Sequence, residues 1–142
     1  MKTKQEIFDI VVNHARMQKC KSETCISCRY RIIKPDGTVL KCFVGALISD
    51  QTYCEQIENN IVGGLYLLND DFPTPENKGS SIYKKSNLLR EILIKNNIDV
   101  SSKESCEFLS HLQNIHDGHS VEMWEQEFSE FASVHNLIYV QQ

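Results

Sequence analysis

The chain has no apolar run approaching the roughly 18 residues that a membrane-spanning helix requires. Its longest apolar stretches, Phe43–Ile48 and Leu65–Leu68, are far too short. The amino-terminal MKTKQEIFDIVVNHARM is interrupted by Glu6, Asp9 and His14. It therefore reads as an amphipathic helix and lacks the uninterrupted apolar region of a secretion signal. No Walker loop or dinucleotide fingerprint is present, and there is no internal repeat or low-complexity tract. Positive charge is outweighed, with a formal net charge of −4, which argues against non-specific nucleic-acid binding.

What is present is ordinary for a globular protein. A chain of 142 residues, 41% hydrophobic and 24% charged, is expected to form one domain, 1–142, with a real core. The cysteines, at 20, 25, 28, 42, 54 and 106, are even in number and could form a disulfide framework. Without a secretion signal, and in a chain large enough to stand unstapled, reduced thiols and a cytoplasmic location are expected.

Charge is unevenly spread. Residues 16–41 carry seven basic groups against Glu23 and Asp36, a net of +5, whereas residues 99–130 carry eight acidic groups against Lys103, a net of −7. Such separation steers partners and favours head-to-tail self-association as a homo-oligomer.

Thr3 and Glu6 form a capping-box pattern opening a helix with Ile7, Phe8, Val11, Val12 and Ala15 inward. Pro35-Asp36-Gly37 closes a hairpin, with Gly37 in the left-handed position. The register places Lys34 opposite Thr38, Ile32 opposite Leu40, Tyr30 opposite Cys42 and Cys28 opposite Val44. That face is expected to turn inward. Arg29, Arg31, Ile33, Val39, Lys41 and Phe43 share the other face. Ser49 or Asp50 is expected to cap a short helix bearing Tyr53, Ile57 and Ile61, which Gly63-Gly64 breaks. Residues 69–86 read as an exposed loop. Helices follow from Asn87 to Asn96-Asn97, from the Ser101/Glu104 box to Gly118 as the residue just past the helix, and from Ser120 through Trp124, Phe128, Phe131 and Ala132. Ile138–Val140 reads as a terminal strand or a docking tail. The expected class is α+β and helix-rich: a hairpin, with room for a third strand, packed against about five helices.

Three kinds of chemistry compete. Cys25-x-x-Cys28 and His116-x-x-His119 could supply zinc ligands, although the interval between them is not that of a zinc finger. Cys28 or Cys42 could be a nucleophile, with His111 or His116 as base and Asp117 as orienter. An inward thiol among apolar neighbours is instead inert; Cys20 and Cys25, beside lysines, are better placed for reactivity. Third, Arg29, Arg31, Lys41 and Phe43 combine cations with an aromatic, a mixture enriched at interfaces. The glutamates at 122, 125, 127 and 130 are explained as the solvated side of an amphipathic helix.

Cys28, Tyr30 and Arg31, the Gly37 turn, and Lys41, Cys42, Val44, Gly45, Leu47, Ile48 and Asp50 make the pattern C-x-Y-R…G…K-C-x-V-G-x-L-I-x-D. This pattern resembles that of an uncharacterised family of small bacterial and phage-encoded proteins, and Leu112-Gln113…His116-Asp117 resembles the family's later helix. The chain departs from the family at Ala46, where members often have a cysteine. The resemblance implies no catalytic activity; its phage association implies a regulatory, effector or counter-defence role. The expected function is therefore non-enzymatic recognition of an acidic protein through Arg29, Arg31, Lys41 and Phe43, with no cofactor and no membrane. An anionic small ligand, such as a nucleotide signal, is the alternative, and a cysteine-dependent enzyme the third.

Overall fold

The computed structural model describes residues 1–24, 27–69 and 79–142. In chain order these form α1 (Lys4–Gln18), β1 (Arg31–Ile33), β2 (Val39–Lys41), α2 (Phe43–Ala46), α3 (Ser81–Lys95), α4 (Lys103–Gly118) and α5 (Trp124–His135). Short 3₁₀ turns lie at Glu55–Ile57, Leu65–Asn69 and Val121–Met123. The architecture is α+β and helix-rich, as expected. The described residues form two compact units, one of residues 48–111 with Met1, the other of residues 2–47 and 112–142.

In the second unit, α1 begins where the capping box demands. The Thr3 hydroxyl accepts from the Glu6 amide and the Glu6 carboxylate accepts from the Thr3 amide at 2.7 Å. Ile7, Phe8, Val11, Val12 and Ala15 are buried, forming the stripe that the sequence period requires. Phe8 stacks on Phe131 at 5.5 Å and meets Phe128 edge-on. Phe43 lies between Trp124 and Phe128. These aromatics are the core of the unit, and their burial is its main source of stability.

β1 and β2 pair antiparallel, with Ile32 opposite Leu40 and Lys34 donating its amide to the Thr38 carbonyl. Gly37 has φ of 84°, the left-handed conformation expected at this turn. After Lys41 the period changes from two to that of a helix. Cys42 caps α2, its sulfur accepting from the Gly45 amide at 3.2 Å. A Cβ at Gly45 would stand 2.0 Å from the Tyr30 carbonyl oxygen, so no side chain fits there. Among the described residues the sheet has two strands. A single bridge, Glu23 with Cys28, takes the place of the expected Cys28–Val44 pairing.

Two glutamines of α1 imitate strand neighbours. Gln18 accepts from the Lys41 amide at 2.8 Å and donates to the Lys41 carbonyl at 2.9 Å. Gln5 does the same for Ile138, at 2.8 and 3.0 Å. The carboxyl-terminal residues therefore form a docked tail rather than a strand.

In the first unit, Ile57, Leu65, Leu89, Leu93, Ile98, Phe108 and Leu109 are buried. Four expectations are corrected here. The helix expected after Ser49 is reduced to a turn followed by the 3₁₀ turn at 55–57, which ends where Glu58 becomes extended, just before Asn59 takes a positive φ of 64°. α3 begins at Ser81 rather than Asn87, since the Ser80 hydroxyl accepts from the Tyr83 amide at 3.1 Å. Residues 81–86 of the expected loop are therefore helical, while residues 70–78 lie outside the described residues. At the start of α4, Ser102 accepts from the Ser105 amide and Asp99 from the Ser101 amide. In the last turns of α4, Gly118 is helical and does not take positive φ. No helix among the described residues is long and apolar enough to cross a membrane.

Candidate functional site

Residues singled out from sequence come together in two places, both in the unit formed by residues 2–47 and 112–142, whereas His111 belongs to the other unit.

The first is a polar cluster around Asp117. Its carboxylate accepts from His116 Nδ1 at 2.7 Å, from Gln113 Nε2 at 2.8 Å and from the Cys28 thiol. Burial opposes its charge, yet these three donors more than offset that cost and hold its pKa below the ordinary value. Cys28 shows the reverse effect. Burial, together with the neighbouring Asp117 carboxylate, pushes its thiol up to about 12.

His116 is fully buried beneath Phe43, at 5.1 Å, and Trp124, at 5.7 Å. The Ser22 amide donates to its Nε2 at 3.1 Å. That bond occupies the Nε2 lone pair and assigns the proton to Nδ1, where it is donated to Asp117. Three expected partners, Cys28, His116 and Asp117, are thus brought together, with ligating atoms within 4.8 Å of one another. Their order is not that of a nucleophilic triad. The acid, not the base, adjoins the thiol and disfavours the thiolate. Nor does the imidazole offer a lone pair to a metal, since Nδ1 carries its proton.

The remaining candidates disperse. Cys42 is buried as the cap of α2. His119 pairs with Glu127 on α5 at 3.1 Å. Cys25 lies outside the described residues. None of Cys20, Cys28, Cys42, Cys54 and Cys106 forms a disulfide. Cys28 corrects the expected apolar environment: it is half-buried beside two carboxylates, Glu23 and Asp117.

The second place is the outer face of the hairpin. Arg31 stands directly opposite Lys41, and Ile33 directly opposite Val39. Ile33 is 69% and Val39 44% exposed, whereas Leu40 on the other side is buried. Arg31 and Lys41 are half-buried, as is Arg29, whose amide donates to the Ser22 carbonyl at 2.8 Å. Phe43 leaves this face. It is 1% exposed, because the chain enters α2 at this point and turns the ring into the core. The exposed apolar element of the face is the Ile33–Val39 pair.

A third feature had no signal in local sequence. Arg16 binds Glu125 through both ends of its guanidinium, at 2.8 and 2.9 Å. The Tyr139 hydroxyl also donates to Glu125, and Arg16 reaches the Val140 carbonyl at 2.8 Å. Hydrogen bonding by Arg16, with that of Tyr139, holds the Glu125 carboxyl at about 2 despite its partial burial. Arg16 was legible only as a member of the basic segment and Glu125 only as part of a solvated helix face.

The motif shared by hairpin and later helix acquires a structural meaning. Gln113 accepts from the Val44 amide at 3.4 Å, Asp117 holds Cys28, and Gly45 lies against Tyr30. The two halves of the pattern are packing partners in an α+β unit. No family model, curated protein or solved structure matches this chain.

Proposed function

We propose that this is a non-enzymatic binding protein that engages an acidic partner through Arg29, Arg31 and Lys41, with Ile33 and Val39 supplying the apolar contact. One observation carries this reading: a cation–cation pair and an exposed aliphatic pair stand side by side across the hairpin. Exposed aliphatics beside cations give an acidic ligand area as well as charge. The raised Cys28 pKa favours binding over nucleophilic chemistry. The motif resemblance supports a regulatory, effector or counter-defence role.

Poly-glutamate is the test ligand. A protein of net charge −4 has no overall attraction for it, so retention reports a local basic patch. The wild-type chain is expected to bind at low salt and release as salt rises. Arg29→Glu combined with Arg31→Glu is expected to abolish binding while the circular dichroism spectrum is retained. Undiminished binding by that variant would overturn the proposal.

A further inference from the structure

We infer that the acidic partner of the hairpin face is a second copy of this chain, presenting the outer stripe of α5; the inference rests on the binding role proposed above. On α5 and the turn before it, Met123, Glu130 and Val134 follow helical spacing and lie on one outward side. Met123 is 42% and Val134 67% exposed, and Glu130 is exposed with Gln126 donating to it at 3.0 Å. The stripe is therefore a carboxylate flanked by aliphatics. The hairpin offers its complement, cations flanked by aliphatics.

The spacings agree as well as the charges. Glu130 and Val134 are one helical turn apart, about 6 Å along the axis. The Arg31–Lys41 and Ile33–Val39 pairs are two residues apart along the strands, about 7 Å. A single placement can thus set carboxylate on cations and valine on aliphatics together. Both faces belong to one unit of each chain, so every copy offers a basic face and an acidic one. Copies then either close as a two-fold pair with the contact made twice or extend head to tail.

Analytical ultracentrifugation of the full chain tests this. The wild type is expected to sediment as a dimer or larger species in 50 mM salt and as a monomer in 1 M salt, since the cations are near the surface (screening length falling from more than 10 Å to about 3 Å). Arg31→Glu/Lys41→Glu and Glu130→Lys should each be monomeric alone. Mixed in equal amounts they should sediment as a dimer, because each retains the face the other lost. Ile33→Ser/Val39→Ser, at exposed positions, should weaken association without disturbing the thermal melt, and it serves if the charge variants fail to fold. A monomeric wild type in 50 mM salt, or association unaffected by these changes, would overturn the inference. If that monomer still binds poly-glutamate, only the identity of the partner is wrong; if it binds neither itself nor poly-glutamate, the binding proposal fails too.

Discussion

Ser22 and His116 are joined by a hydrogen bond from a buried backbone amide to an imidazole nitrogen, at 3.1 Å. The bond ties the loop before the hairpin to the end of α4 and sets which nitrogen of His116 carries its proton. Through that proton it directs Asp117, and through Asp117 the state of Cys28.

Cys28 is accordingly expected to behave as a slow thiol. In the wild type its rate of alkylation by iodoacetamide, followed by mass spectrometry, should stay low at pH 8. Asp117→Asn removes the neighbouring charge, so the apparent pKa should fall from about 12. It should not reach the free-thiol value, because burial is the larger cause and remains. Zinc added to the wild type should leave its melting temperature unchanged. A marked rise, lost in the Cys28→Ser variant, would contradict the proton assignment on His116.

Gly45→Ala should be among the most damaging single changes. The new methyl would meet the Tyr30 carbonyl at 2.0 Å, and backbone cannot retreat as a flexible side chain can. A loss of about 3 kcal/mol or more in urea unfolding is expected, at the upper end for single substitutions. Gly64→Ala, where no atom lies within 4 Å, is the control and should change stability little.

Gln18→Met keeps the length of the side chain but removes its bonds to the Lys41 amide and carbonyl. The Lys41 carbonyl keeps His14 Nε2 at 2.9 Å, so the cost falls mainly on the amide and should be about 1–3 kcal/mol. The loss should be accompanied by faster amide exchange at Lys41, read by NMR. Unchanged exchange would mean that Gln18 does not cover the edge of β2.

Two groups make stability depend on pH in separate windows. Burial, with the charge of Lys41, outweighs the hydrogen bond to the Lys41 carbonyl and lowers the pKa of His14 below its ordinary value of 6.5. The unfolded chain then binds the proton more readily, so this contribution is complete above 6.5 and declines as pH falls below it. The Glu125 carboxyl, at about 2 instead of 4.5, contributes fully above 4.5 and is lost as pH falls toward 2. Urea titrations should therefore show two descending steps. His14→Gln should flatten the first, and Glu125→Gln the second. Glu125→Gln should also expose residues 137–142 to carboxypeptidase, because Glu125 holds Arg16, Tyr139 and the Gln142 amide.

Features that rest on neighbours in sequence were legible in advance. The Thr3–Glu6 box, the Gly37 turn and the pairing of Ile32 with Leu40 each follow from a few adjacent residues. The buried stripes of α1, α4 and α5 follow from period alone. Phe43 departs from the alternation of the strand because Cys42, one residue before it, caps a helix. Ser80 caps α3 from within a polar segment whose composition is that of a loop. The candidate site divided in the same manner: Arg31 and Lys41 were placed together by register, whereas the surroundings of Cys28 come from α4, far along the chain.

The helix-rich α+β class, the pairing of residues 31–33 with 39–41 and the cationic side of the outer face were written in the residues themselves, since alternation, turn chemistry and capping act over a few residues. The packing of distant segments puts Phe43 in the core, keeps Cys28 a thiol through burial and Asp117, and pins the tail with Arg16 and Glu125. Those outcomes depend on the burial and charge contributed by distant segments, which set the free energy of a side chain but leave no mark in the residues beside it.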